Sequence, residues 1–456
     1  MRDIDNRELG LCDKPIKIEI ENLNSYYTNK LISCYGVVLE ISPTLKEKSA
    51  EMHIKYLKVI GLKKNHSVIN IGSAIKLIIS YDQFDLVKLG DIIEITGIYK
   101  LHNADLIAYK KTFKPEYVIQ VITIKVLNEI DLFKPNNEEI SFIKKLSKEP
   151  NIQKRIACSI FPAIFGRDDI KMICALIIFM NHLNSYNQFG ISLLLIGEPG
   201  TSKSKILRCL EDLFPTLVYE YRENSDIKFE WTNTKYKIEG SPWKRTGLID
   251  LAKKGLIIID NLEEKKPYHI KHIEDVLSNR SMKSTIISAV RTKENKYNFK
   301  IPVVDNIKIS KKKSLIRDFD IIFVLVNKPN KLNDILEVEH ILSIGNNDEG
   351  DIIPQDLLKK YITYARNNYN PVLSRLASID IKEFFNKIKA LSRIQSDFSI
   401  KNRDLRILIS LSKAFAKMAL RKKVLKEDVK EIVKLFNRYL YDIGFYNIFK
   451  KAFRLI

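Results

Sequence analysis

Lys203 and Ser204 close the loop "GEPGTSKS" (197–204), which follows the apolar run "LLLIG" and opens an amphipathic stretch. A lysine and a hydroxyl side by side after two glycines are the parts of a phosphate cradle. Backbone N–H groups and the N-terminus of the following helix take the anion. Lys203 would reach the β- and γ-phosphates, and the Ser204 hydroxyl would bind Mg²⁺. Gly197 and Gly200 let the chain curl closely around the phosphates. Glu198, Pro199, Thr201 and Ser202 complete the loop. The usual pattern places glycine directly before the lysine, where this chain has Ser202.

An ATPase of this kind also needs an acid for the metal at the end of a second strand. "GLIIIDN" (255–261) supplies Asp260, 57 residues after Lys203. Asn261 follows. A glutamate there would orient the attacking water and accept its proton, whereas an asparagine can only hydrogen-bond it. Loss of a general base costs roughly 10²–10⁴-fold in rate. These residues therefore predict a site that binds ATP with Mg²⁺ and hydrolyses it weakly. Arg317, in "SLIRDFDIIFVL", precedes a further apolar run and offers a cation to a neighbouring subunit's site.

Such residues need a scaffold of parallel strands and helices. "ISLLLIG", "GLIIID" and "FDIIFVLV" are continuous apolar runs, as expected of parallel strands buried on both faces. Ahead of them, "NEEISFIKKLSKEP" and "GRDDIKMICALIIFMNHL" read as helices, the second with Asp168 and Asp169 at its start. Residues 354–443 read as helical throughout, with apolar positions three and four apart. Residues 30–126 read as β, with a Gly90–Asp91 turn before an alternating strand. A β segment of this size suits an OB-fold, which commonly binds single strands, and suits other β domains equally.

The chain has 456 residues and a formal net charge of +21, with 45% hydrophobic and 29% charged residues. This is a globular composition whose charge favours a polyanionic partner, nucleic acid before membrane. The five cysteines form no C-x-x-C pair, so neither a zinc ribbon nor a disulfide framework is expected. No apolar run reaches the ~18 residues of a membrane span; "IKMICALIIFM", the longest, carries Lys171.

Several blocks in order resemble the MCM family of replicative DNA helicase subunits. "VKLGDIIEITGIYK" (87–100) is similar to the end of the family's OB domain. "PNIQKRIACSIFPAIFGRDDIKMICALIIF" (150–179) resembles its approach to the ATPase core. "GEPGTSKS" is similar to its P-loop, which also lacks the glycine before the lysine. "RTGLIDLAKKGLIIIDN" (245–261) matches its second-strand region. "LLKKYITYARNNYNPVLS" and "NRDLRILISLSKAFAKMALRKKVLKEDV" resemble its helical lid. "ITGIYKLHNADL" and "SIFPAIFGRDDIK" look most like eukaryotic subunit two.

The resemblance implies a multidomain chain. A short segment (1–29) precedes an OB-like β domain (30–126), and helices (127–190) lead into an AAA+ core (191–330) followed by a helical lid (331–456). It implies ATP and Mg²⁺ as cofactors without zinc, DNA and other MCM subunits in a hexameric ring as partners, and a nuclear location if the source is eukaryotic. By position Arg403 matches the family's trans-acting sensor arginine, and Asn306 falls near its sensor asparagine. Arg317 stands one residue before the place of the arginine finger, which Asp318 holds. DNA-contacting candidates are Lys283, Lys311, Lys312 and Lys313. The alternatives are a non-catalytic ring subunit that binds ATP and DNA, and another AAA+ machine acting on protein.

Overall fold

The computed structural model describes residues 15–42, 45–46, 53–61, 74–102, 116–127, 133–180, 190–213, 218–220, 237–238, 241–242, 244–245, 247–252, 255–278, 285–299, 301–307, 313–327, 331–345, 352–392 and 400–445. The chain divides into two compact units, one of residues 1–132 and 222–251, the other of 133–221 and 252–456.

The first unit is built on five long strands: β1 (Leu31–Ile41), β2 (His53–Gly61), β3 (Ala74–Ser80), β4 (Ile92–His102) and β5 (Glu116–Leu127). β-Branched residues alternate along them, and their inward set, including Ile32, Val38, Leu57, Leu77, Ile95 and Ile119, forms one core. β1 pairs β4 through its first half and β2 through its second. The pairings continue from β4 to β5, from β5 to β3 in parallel, and from β3 to β2, so the circuit closes. β4 shifts register between Thr96 and Gly97. A Cβ at Gly97 would lie 2.4 Å from the Gln120 carbonyl oxygen, so only glycine lets β4 approach β5 there. Lys244–Arg245, though far along the chain, pairs antiparallel with the end of β1.

The second unit opens with helices α1 (Asn137–Leu146), α2 (Ile152–Ile160) and α3 (Asp168–Phe179). Asn136 and Glu139 form a capping box on α1. The acids Asp168 and Asp169 occupy the first turn of α3, where they complement the helix dipole. Five strands then form an all-parallel sheet: β6 (Leu193–Gly197), β7 (Val218–Glu220), β8 (Leu256–Ile259), β9 (Thr285–Arg291) and β10 (Ile321–Leu325). Their order is β10-β6-β9-β8-β7. β6 is therefore flanked by the last two strands rather than by its successor. Ligands of open parallel sheets sit at such a reversal, beyond the carboxyl ends of the strands.

Helix α4 (Lys203–Leu213) follows β6, α5 (Pro267–Ser278) follows β8, and the short α6 (Lys313–Asp318) leads into β10. After α7 (Lys331–Gly345) come α8 (Gln355–Asn368), α9 (Arg375–Ser392), α10 (Asn402–Met418) and α11 (Lys426–Leu440). The buried Tyr361 of α8 donates its hydroxyl to the Met418 carbonyl of α10 at 2.6 Å. Beyond α11, Asp442 accepts the Val324 amide of β10 at 2.9 Å, which ties this helical end to the sheet. Among the described residues no helix is long and apolar enough to cross a membrane.

Candidate nucleotide site

The loop between β6 and α4 wraps around one lysine. Lys203 Nζ donates to the carbonyl oxygens of Gly197 and Glu198, each at 2.8 Å, and to Thr201 Oγ1 at 3.2 Å. Burial pushes the ammonium down to about 8; Glu263 opposes the shift, Arg291 adds to it, and Asp260 and Glu198 oppose it. Both carboxylates near the acid strand thus act on this lysine. A Cβ on Gly197 would meet the Leu325 carbonyl oxygen and Thr201 Oγ1 at 2.8 Å, so the cradle closes only over glycine. Gly200 sits at φ +75° and Ser202 at φ +64°. The second value explains why glycine is usual before the lysine: the position demands a left-handed backbone, which costs a serine roughly 1 kcal/mol.

Glu198 braces the loop from outside. Its Oε1 accepts the Tyr297 amide at 3.1 Å and its Oε2 the Asn327 amide at 2.9 Å. The segments after β9 and β10 are thereby fixed to the phosphate loop, and Asn327 Nδ2 adds a bond to the Pro199 carbonyl at 3.3 Å. Ser204 lies half-buried on the first turn of α4.

Asp260 follows β8 at the same carboxyl edge. Its Oδ1 accepts the Asn261 amide at 2.9 Å. Asn261 has φ 49°, ψ 56°, and begins a single 3₁₀ turn, Leu262–Glu264. That left-handed conformation suits asparagine better than glutamate. Gly197, Lys203 and Ser204 lie on the loop and helix start after β6, and Asp260 follows β8 at the same carboxyl edge. Were a Mg²⁺-bound nucleotide to occupy this loop, Lys203 and the loop amides would be placed to take phosphate, and Ser204 and Asp260 to hold the metal.

Three residues of this edge, Arg291, Glu263 and Glu264, carry no signal in the P-loop pattern. Arg291, the last residue of β9, stands in register with Gly197. Its guanidinium lies 3.7 Å from Glu263 and 3.6 Å from Glu264. The sequence hint is a lone cation closing the mixed stretch "TIISAV", with two acids just beyond Asp260.

The other candidates lie elsewhere. Arg403, on α10, pairs with Asp320 and donates to the Asp318 carbonyl at 3.1 Å, with a longer contact to Ser192 Oγ. These partners mark the amino ends of β6 and β10, the edge opposite the phosphate loop. Arg317 is exposed in the last turn of α6, beside the same corner. Asn306 is buried and spends its amide locally: Oδ1 accepts the Asn298 amide at 2.7 Å, and Nδ2 reaches the Asn298 and Pro302 carbonyls. It pins the loop after β9. Lys313 opens α6, while Lys283, Lys311 and Lys312 lie outside the described residues. Among the described residues no group of three or more His, Cys, Asp or Glu side chains is arranged to hold a metal.

The MCM P-loop domain family matches residues 139–345, and the MCM AAA-lid domain family matches residues 356–440. The chain belongs to the MCM family. Its parallel sheet, phosphate loop and C-terminal helices are thus the AAA+ core and lid of an MCM chain. The minichromosome maintenance protein of Saccharolobus solfataricus is 28% identical over 399 residues, 81% of this chain and 57% of that protein. DNA replication licensing factor MCM2 of Arabidopsis thaliana is 26% identical over 417 residues, 79% of this chain and 43% of that protein. DNA replication licensing factor MCM4 of Drosophila melanogaster is 26% identical over 396 residues, 79% and 45% of the two chains. The MCM chain therefore spans about half the length of the curated relatives it matches, and MCM2 and MCM4 match it equally well.

Proposed function

We propose that the chain is a subunit of an MCM-type ring helicase that acts on DNA in replication. It binds Mg-ATP at 197–204 and Asp260, and its own hydrolysis is weakened at Asn261. The observation that carries this reading is the cradle itself. Lys203 sits on three loop oxygens at the carboxyl edge of a parallel sheet, with the metal acid on a nearby strand and an amide in place of the second acid. An asparagine holds water without taking its proton, so binding survives and turnover falls.

DNA is the natural partner for a chain of net charge +21. The closed five-strand circuit supports an OB-fold for the β unit, a platform used for single strands. Tyr26 is exposed there and lies edge-on to Tyr27, with Lys30 Nζ 3.4 Å above its ring. Aromatic and cationic groups together suit a stacked base and its phosphate. Trans-acting arginines at the amino edge, Arg317 and Arg403, would face a neighbouring subunit's nucleotide in the ring, and the nucleus is the expected location in a eukaryotic source.

The test is reconstitution. Mixed with sister MCM chains from the same source, the full chain should co-assemble into a hexamer that unwinds forked DNA in Mg-ATP, with DNA affinity falling steeply as salt rises. A chain that assembles with no sister and leaves DNA unbound at low salt would overturn the proposal.

A further inference from the structure

Lys359, Thr363 and Arg366 follow one another on α8 at spacings of four and three, so the three side chains share one face of the helix. That face is enclosed: Lys359 is 0% exposed, Thr363 1% and Arg366 6%. Lys417 of α10 is buried too, close enough to Arg366 for the two charges to oppose each other. α8 and α10 are joined here by the bond from Tyr361 to the Met418 carbonyl. Like charges are thus gathered out of water where the two helices meet.

A lysine is almost never fully buried unless it is paired. Lys359 Nζ and Thr363 Oγ1 have no hydrogen-bond partner among the described residues. Burial pushes the Lys359 ammonium down to about 8; Asp356 and Asp212 oppose the shift through space, and neither bonds it. Lys417 is pushed down to about 7, first by burial and then by Arg366 and Lys413. What Lys359 and Thr363 lack is an acceptor. An ammonium, a hydroxyl and a nearby guanidinium are the complement of a tetrahedral oxyanion, whose oxygens accept. The face is also separate from the nucleotide loop. Asp212, the acid of α4 that Lys359 senses, lies about 14 Å along that helix from Lys203.

We propose that this face of α8 binds a small free oxyanion of the phosphate class, which takes hydrogen bonds from Lys359 and Thr363, is flanked by the charges of Arg366 and Lys417, and fastens α8 to α10. The enclosure selects the free anion, because a phosphoryl group carried on a larger molecule would leave its substituent no way out. Exchange requires a local opening of the helices, so the anion leaves slowly.

The test uses the full chain carrying Lys203→Ala, which silences the nucleotide loop, with inorganic phosphate replacing chloride at constant ionic strength. Phosphate should raise the melting temperature by several degrees, and equilibrium dialysis should find one phosphate per chain. Thr363→Val, nearly the same shape, should weaken phosphate about tenfold, the loss of one hydrogen bond to a charged group. Lys359→Met should abolish the rise in phosphate and, in chloride, melt above its parent, since an apolar side chain replaces a buried charge. Glycerol phosphate should give no rise; a rise equal to that in phosphate would overturn the choice of a free anion. The same melting temperature in phosphate and chloride, or a rise in phosphate that survives in both variants, would overturn the inference and leave the nucleotide site untouched.

Discussion

Lys203 carries the nucleotide site's charge, and burial has cost it much of its basicity, holding it at about 8 against an ordinary 10.5. A polyphosphate binds the ammonium form and, by its charge, favours it. Mg-ATP affinity is therefore expected to be full below pH 8 and to fall as pH rises through 8, by about tenfold at pH 9 relative to pH 7. Lys203→Arg, whose charge is permanent, should show no such fall. A flat wild-type titration would mean that the lysine's charge does not set the affinity. At this scale the sequence marks the loop and the strand end, and the structure puts Gly197, Gly200 and Lys203 between β6 and α4 and Asp260 directly after β8. The sequence is silent on backbone conformation. Ser202 and Asn261 both occupy left-handed conformations, and neither is marked by its neighbours. Asn261 is more than a missing acid, because its turn suits asparagine; a glutamate restored there would start from a strained backbone.

The elements that bear these residues announce themselves unequally. β6, β8 and β10 were readable as unbroken apolar runs because both faces of a parallel sheet are buried. β9, "TIISAVR", includes serine and alanine and lacks such a run, although it is a central strand and carries Arg291. Asn306 falls beside a family sensor position in sequence, yet its amide is spent on residues 298–302, a contact that only the folded loop creates. Arg403 also makes a packing contact within its own chain. It joins α10 to Asp320, whose side chain is 3% exposed and also accepts the amide and hydroxyl of Ser192 at 2.8 Å. Breaking a buried pair on one side costs about 3–5 kcal/mol. Ser192 still serves the acid, so the lower end applies. Arg403→Ala is expected to lower the melting temperature of the full chain by several degrees, while Arg317→Ala, at an exposed position, leaves it unchanged. Equal melting of Arg403→Ala and wild type would show that this pair does not hold the lid helix to the core.

Across the whole molecule, composition favours a nucleic-acid partner, and the order of sequence blocks carries the MCM resemblance. The grouping of 222–251 with the β unit was not readable, because it depends on a two-residue pairing with β1. The central claim concerns one pocket in a many-pocket ring, so the decisive measurement isolates it. In a ring assembled with sister chains whose own P-loop lysines are replaced by alanine, this chain's pocket alone can load Mg-ATP, and the neighbours' arginines stay in place. The expected result is stoichiometric ATP at this subunit with hydrolysis roughly 10²-fold or more below the wild-type ring's rate per site. Hydrolysis at the wild-type rate per site in that ring would contradict the account.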